Sequence, residues 1–356
     1  MTAFEDLLTW RESSTSGEAI GAALEAADRL PVAARDLLAT AERIVITGAG
    51  SSYYLAQAVA AVARPVLRRS VIAAPLSELI LRPEGVLAEA ASAGHANREP
   101  VVIISRSGST SEAIDVVERM RATGRPTVAV TCRADSPLAA LADVTLVSPE
   151  GDERAIVMTR SFASMLSLLL RVVASVGDDG SLAADLGRLP RHWHEATAAA
   201  DIGRRLGGSD WSRIVVLGGG PALGIAMEWG LKLTETSQVP TNAYEPLEFR
   251  HGPVSVCEPG MLVVGLIGGP GAPDEVAVVE QAARLGASTW LIARDQGETQ
   301  GSTGEVSLVG GGLDPSARLP LLVHPAHALA LSLALTRGRD PDAPRHLSQV
   351  VILGED

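Results

Sequence analysis

Short apolar, β-branched runs alternate along this chain with stretches whose apolar positions recur at helical spacing. Val101-Val102-Ile103-Ile104 is one such run; a Ser/Gly loop, a helical pattern containing Val116-Val117-Glu118, a glycine at 124 and another apolar run ending at Thr131 follow it. Met261 to Arg294 repeats that order, with Val278-Val279-Glu280 and Gly286. A second pair of segments is also duplicated. Residues 43–56, Arg-Ile-Val-Ile-Thr-Gly-Ala-Gly-Ser-Ser-Tyr-Tyr-Leu-Ala, align without a gap on 213–226, Arg-Ile-Val-Val-Leu-Gly-Gly-Gly-Pro-Ala-Leu-Gly-Ile-Ala. Strands that are apolar throughout belong to a parallel sheet covered on both faces. The pattern therefore predicts an α/β protein built as two tandem doubly wound parallel-sheet domains.

The first 40 residues carry Ile20, Ala23, Leu24, Ala27 and Leu30 at helical spacing. They predict a helical segment that packs on the first domain or on a partner subunit. Glycine-bearing polar stretches at 177–180 and 207–208 bracket a helical connection between the halves. The expected division is a helical segment over 1–32, a first domain over 33–185, a second over 200–338 and a tail over 339–356. Gln296 to Gly312 holds six glycines among mostly polar residues and reads as a flexible loop.

With 356 residues, 46% of them hydrophobic, the chain can bury two ordinary cores. Its net charge of −12 and pI near 5.1 offer nothing to a nucleic acid backbone or an anionic membrane, so an anionic ligand has to be held by local geometry. Cys132 and Cys257 stand apart with no CxxC spacing, which fits a reducing compartment and no structural metal. The N-terminus shows no basic-then-apolar leader, and no apolar run is expected to reach transmembrane length. The expectation is a cytoplasmic protein.

Of the 30 permanent cations, 29 are Arg; the single lysine is Lys232. An ammonium can act as a compact point charge or lose its proton when buried, whereas a guanidinium stays charged and needs a planar partner. Steps of four and three place Glu228, Lys232 and Glu235 within about 60° of one helical face. Elsewhere, Val101–Ile104 runs into Ser105-Arg106-Ser107-Gly108-Ser109-Thr110-Ser111-Glu112. Ser109 with Glu112 reads as a capping box, so a helix N-terminus, hydroxyls and Arg106 converge where a phosphate could sit. Ser51 and Ser52 would complete that site from the neighbouring turn. The matching turn of the second half, Gly268-Gly269-Pro270-Gly271-Ala272-Pro273, has no hydroxyl at all. A dinucleotide reading of Gly48-Ala49-Gly50 fails, because Tyr53 replaces the third glycine and Arg68-Arg69 stand where a ribose-binding acid is wanted.

With these residues in hand the chain resembles the sugar isomerase (SIS) family, whose domains are flavodoxin-like. It is similar to the isomerase half of glucosamine-6-phosphate synthase, and more so to the tagatose-6-phosphate ketose/aldose isomerase and galactosamine-6-phosphate deaminase group. The stretches that carry the resemblance are 48–53, 105–112, 153–162, 228–235, 245–253 and 340–347, in family order. The resemblance implies a phosphosugar substrate held by Ser51, Ser52, Ser105, Arg106, Ser107 and Thr110, with Arg106 as in the ketose/aldose isomerase group. It implies Glu235 as the base moving a proton between C1 and C2, with Lys232 and Glu228 beside it. His251 would assist ring opening from the partner subunit of a homodimer, and the tail would close the active site. No cofactor or metal is implied.

Gln349 stands where the synthase has the tail lysine that forms a Schiff base, so imine chemistry by a tail lysine is excluded. No glutaminase domain and no N-terminal cysteine are expected, which leaves isomerisation or isomerising deamination of a hexose or hexosamine 6-phosphate. The alternatives are a non-catalytic sugar-phosphate sensor and a deglycase of a phosphorylated sugar–amine adduct. His192, His194, His324 and His327 read as structural, since neither pair has a third ligand at metal-site spacing.

Overall fold

The computed structural model describes residues 3–88 and 98–350. In chain order the helices are α1 (Leu8–Ser14), α2 (Ser16–Asp28), α3 (Val32–Thr40), α4 (Ser51–Leu67), α5 (Leu76–Leu81), α6 (Ser111–Ala122) and α7 (Pro137–Leu141). They are followed by α8 (Arg160–Val176), α9 (Gly180–Leu186), α10 (Leu189–Leu206), α11 (Ala222–Ser237), α12 (Pro246–Phe249), α13 (Ala272–Arg284) and α14 (His324–Thr336). The first five strands are β1 (Arg43–Gly48), β2 (Ser70–Pro75), β3 (Val101–Ile104), β4 (Thr127–Thr131) and β5 (Val144–Val147). The second five are β6 (Arg213–Gly218), β7 (Thr241–Tyr244), β8 (Met261–Leu266), β9 (Ser288–Ala293) and β10 (Glu305–Leu308).

Two five-stranded parallel sheets result, β2-β1-β3-β4-β5 and β7-β6-β8-β9-β10. Their strand orders are the same, so the duplicated segments fold as duplicated elements. In the first sheet Val45, Ile103 and Ala129 pack with Val116 and Val117 of α6; in the second Val215, Val263 and Leu291 pack with Val278 and Val279 of α13. Each such Val, Leu or Ile side chain, fully buried, contributes about 1.5–3 kcal/mol. The aligned glycines have one local job. Gly124 and Gly286 take positive φ, 70° and 103°, just after α6 and α13. Arg125 N–H reaches the Met120 carbonyl and Ala287 N–H the Ala282 carbonyl, the six-to-one bond that closes a helix end.

The chain separates into two compact units. The first-sheet unit comprises Glu18–Arg154, Arg160–Gly187 and the tail from Ser348; the second-sheet unit comprises the residues up to Gly17, Ala155–Thr159 and Arg188–Leu347. The N-terminal segment is thus divided. Phe4 and Leu7 pack on Ala200 of α10 and on Ala328 and Leu331 of α14, in the second-sheet unit and not in the first. The Asp342 carboxylate accepts the N–H groups of Leu8 and Thr9 at 2.8 and 2.9 Å and the Thr9 hydroxyl at 2.6 Å, a cap on α1 supplied from the far end of the sequence.

Three expectations need correction. The 296–312 segment contains β10, paired in parallel with β9, and the Ser307 hydroxyl accepts the Trp290 indole N–H at 2.9 Å. Flanking glycines hid a four-residue strand. Leu319–Thr336 is, by length and composition, apolar enough to cross a membrane, although 83% of it is buried inside the protein. It is apolar all round because α14 packs between α10, α11 and α1. Finally, α6 begins at Ser111 behind an N-cap at Thr110, with no side-chain cap bond. The expected capping box at Ser109 does not form, because the Ser109 hydroxyl turns back to the Ser107 carbonyl at 3.3 Å.

Candidate functional site

In the first-sheet unit β1 lies between β2 and β3, so the loops leaving β1 and β3 flank the point where the chain changes direction across the sheet. Open α/β sheets bind ligands at that edge. Ser51 and Ser52 open α4 there and are buried; Ser105, Arg106 and Ser107 leave β3 and are also buried. The Ser105 and Thr110 hydroxyl oxygens lie 3.2 Å apart, and Ser105 Oγ accepts the Gly108 N–H. Ser107 Oγ accepts the Ser109 N–H at 3.2 Å. Gly108 holds the loop in this shape with φ at 62°, and a Cβ there would come within 2.1 Å of Ser136 Oγ. The loop thus gathers hydroxyls and amides ahead of the positive end of a 12-residue helix.

Arg106 has definite partners. Its guanidinium lies 3.7 Å from the Glu153 carboxylate, and Nη2 donates to the Gln349 carbonyl at 2.8 Å. Glu153 accepts N–H bonds from Arg160 and Ser161 at the start of α8, and a hydroxyl bond from Ser161. Gln349 Nε2 donates to the Glu153 carbonyl at 2.8 Å. Glu153 and Gln349 together fix the position of Arg106. The sequence does not mark Glu153 as a partner of Arg106, although it lies in the 153–162 stretch that carries the resemblance. Burial pushes the nearby Cys132 thiol far up, reinforced by the charge of Glu153, so Cys132 is no nucleophile.

In the second-sheet unit α11 brings Glu228, Lys232 and Glu235 onto one face. Glu228 is fully buried, Lys232 is 2% exposed and Glu235 19%. Lys232 Nζ lies 3.5 Å from Glu228 and 2.5 Å from Glu235. The ammonium is held inside by one buried carboxylate, and a second, solvent-accessible carboxylate stands at the open end. Behind it His324 and His327 both meet the Ser13 hydroxyl, at 2.8 and 2.7 Å, and Trp10 stacks on His324. Burial pushes His324 down to about 3 and His327 well below the usual imidazole range, the latter helped by the charges of His324 and Lys232. Both are neutral core side chains. His251 sits on an exposed turn after α12, its N–H bonded to the Glu248 carbonyl, and its imidazole makes no hydrogen bond among the described residues. The described residues include no group of three or more metal-binding side chains.

A tandem α/β chain with a hydroxyl-rich strand-to-helix turn in its first half and an acid–lysine–acid face in its second defines a recognisable class. The SIS domain model matches residues 37–175 and 209–301, and the chain belongs to that family. It is 30% identical over 354 residues to the glutamine–fructose-6-phosphate aminotransferase (isomerizing) of Pyrobaculum aerophilum, covering 96% of this chain and 56% of that protein. It therefore spans only about half the length of the curated relatives it matches. The C-terminal domain of the glucosamine-fructose-6-phosphate aminotransferase of Francisella tularensis superposes with a TM-score of 0.85 at 18% identity, covering 96% of this chain and 99% of that one. The tagatose-6-phosphate ketose/aldose isomerase of Escherichia coli superposes with a TM-score of 0.80 at 23% identity, over 96% and 97% of the two chains.

Proposed function

We propose that this protein is an aldose–ketose isomerase of a hexose or hexosamine 6-phosphate. The observation that carries the reading is the α11 face, where a solvent-accessible carboxylate, Glu235, is backed by a buried lysine at 2.5 Å. The ion pair holds that carboxylate in one orientation, as a base acting on a carbon acid requires. In the proposed reaction Glu235 takes the proton from C2 of the open-chain sugar. The C–H electron pair forms the C1=C2 bond of a cis-enediol, and the C1 oxygen takes up a proton. Return of a proton to C1 with loss of one from the C2 hydroxyl gives the ketose. Where C2 carries an amine the intermediate is the enolamine; return of a proton to C1 leaves a C2 imine, and water hydrolyses it to the ketose with release of ammonia. Lys232 supplies the positive field that keeps Glu235 in place, and His251 exchanges a proton with the ring oxygen during opening.

Ser51, Ser52, Ser105, Ser107 and Thr110 would take the phosphate oxygens, with Arg106 supplying the cation and Glu153 and Gln349 fixing where it points. Gln349 cannot form an imine, so the sugar reacts without covalent attachment to the tail. The activities for which the relatives are named, an isomerising aminotransferase and a ketose/aldose isomerase, support the same class of proton transfer. We further propose a homodimer in which His251 serves the partner's site. The test is an NMR assay of hexose and hexosamine 6-phosphates in D₂O. Ketose formation with deuterium at C1 of the ketose, or at C2 of the recovered aldose, is expected, and ammonia release with an amino sugar would make the reaction an isomerising deamination. Saturable binding without exchange would overturn the enzyme reading in favour of a sensor.

A further inference from the structure

We infer that the second-sheet unit carries a ligand site of its own, at the loops leaving β6 and β8, that takes an unphosphorylated amine-bearing polyol such as a free hexosamine. The cleft there measures about 610 Å³, and its walls include Gly219, Glu245, Gly268, Glu275, Ser316 and Arg318. Small-molecule sites typically occupy about 300–1,000 Å³. Its position follows from the fold, since β6 lies between β7 and β8 and the cleft opens at the corresponding change of direction in the second sheet. The inference does not depend on what the first-sheet loop binds.

The chemistry of this cleft is the opposite of a phosphate cradle. The amides that would face an anion are already occupied by carboxylates of the same chain. Gly220 N–H donates to Glu245 at 3.0 Å, Gly268 N–H to Glu275 at 3.3 Å and Gly269 N–H to Glu298 at 3.3 Å. Glu245, Glu248, Asp274 and Glu275 line the space, so a phosphate would be repelled, whereas hydroxyl and ammonium donors meet oriented acceptors. Burial raises Glu275 to about 7, with the charges of Glu245 and Glu298 adding to the shift; the Gly268 N–H and the Arg318 charge oppose it. An incoming ammonium would relieve that crowding of negative charge.

A second, independent feature points the same way. Arg318 is 2% exposed, lines the cleft and donates from Nη2 to the Ile292 carbonyl at 2.9 Å. Its Nη1 has no partner among the described residues and lies 3.5 Å from where a Cβ on Gly268 would stand. A buried donor left unsatisfied is costly, so the site presents one strong donor for a ligand oxygen beside acceptors for its amine and hydroxyls.

The test is calorimetric titration of the full chain near neutral pH with D-glucosamine, D-glucose and D-glucose 6-phosphate. The chain carries Ser107→Ala and Thr110→Ala, so that the first-sheet loop does not contribute. Saturable binding of glucosamine is expected, with weaker binding of glucose and none of the phosphate ester. Adding Glu245→Gln should weaken glucosamine about tenfold or more, the scale of a charge-assisted hydrogen bond. Ser316→Trp, which narrows the cleft without touching a charge, should abolish binding. Absence of saturable glucosamine binding, or binding unchanged by both substitutions in folded protein, would overturn the inference.

Discussion

At the scale of single residues, the decisive arrangement is one lysine between two acids on α11. Lys232 and Glu228 are both buried, and removing one member of such a pair leaves an uncompensated charge, at a cost of about 3–5 kcal/mol. Lys232→Met should therefore lower the urea-unfolding free energy by an amount in that range. Lys232→Arg keeps the charge but not the shape, and should fold yet lose most of the proposed turnover. Full activity in the arginine variant would show that the compact ammonium is not needed. A second residue-scale prediction concerns Glu275, raised from 4.5 to about 7 chiefly by burial. A carboxyl that binds its proton more tightly when folded stabilises fully below its ordinary pKa. That contribution is lost as pH rises through about 7. The melting temperature should carry a component that falls between those pH values, and Glu275→Gln should remove it. Lys232 was legible in the sequence because it is singular and its partners follow at helical steps. Glu153 and Arg318 were not, because their partners are brought to them by tertiary packing and no periodicity connects them.

At the scale of elements, the strands and the glycines that close α6 and α13 could be read because apolar runs and helix stops are local signals. The start of α6 could not be placed to the residue. Two hydroxyls, Ser109 and Thr110, compete for the cap, and the loop's own hydrogen bonds decide between them. The same loop makes a sharp prediction. Gly108 combines positive φ with a Cβ position 2.1 Å from Ser136 Oγ. Gly108→Ala should displace the turn, weakening phosphosugar binding in a titration at least tenfold, while the global unfolding midpoint moves little, since the strain stays within one loop. Equal binding by the variant would mean that the turn does not hold the phosphate.

At the scale of the whole molecule, one duplicated sheet order carries two different loop chemistries. In the first sheet the turn after β3 presents hydroxyls and a clamped arginine; in the second the turn after β8 has its amides filled by carboxylates. The duplication and the contrast between the turns were visible in the sequence, but the filling of the second was not. Glu245, Glu275 and Glu298 come from three separate stretches of the chain. The account rests most heavily on Glu235 as the base. The direct measurement is exchange of the C2 proton of the active hexose or hexosamine 6-phosphate in D₂O, followed by NMR for the natural chain and for Glu235→Gln. Ligand affinity is titrated in parallel. Loss of a general base is expected to slow exchange by about 10²–10⁴-fold with binding nearly unchanged. Exchange at the natural rate in the Gln variant would contradict the assignment.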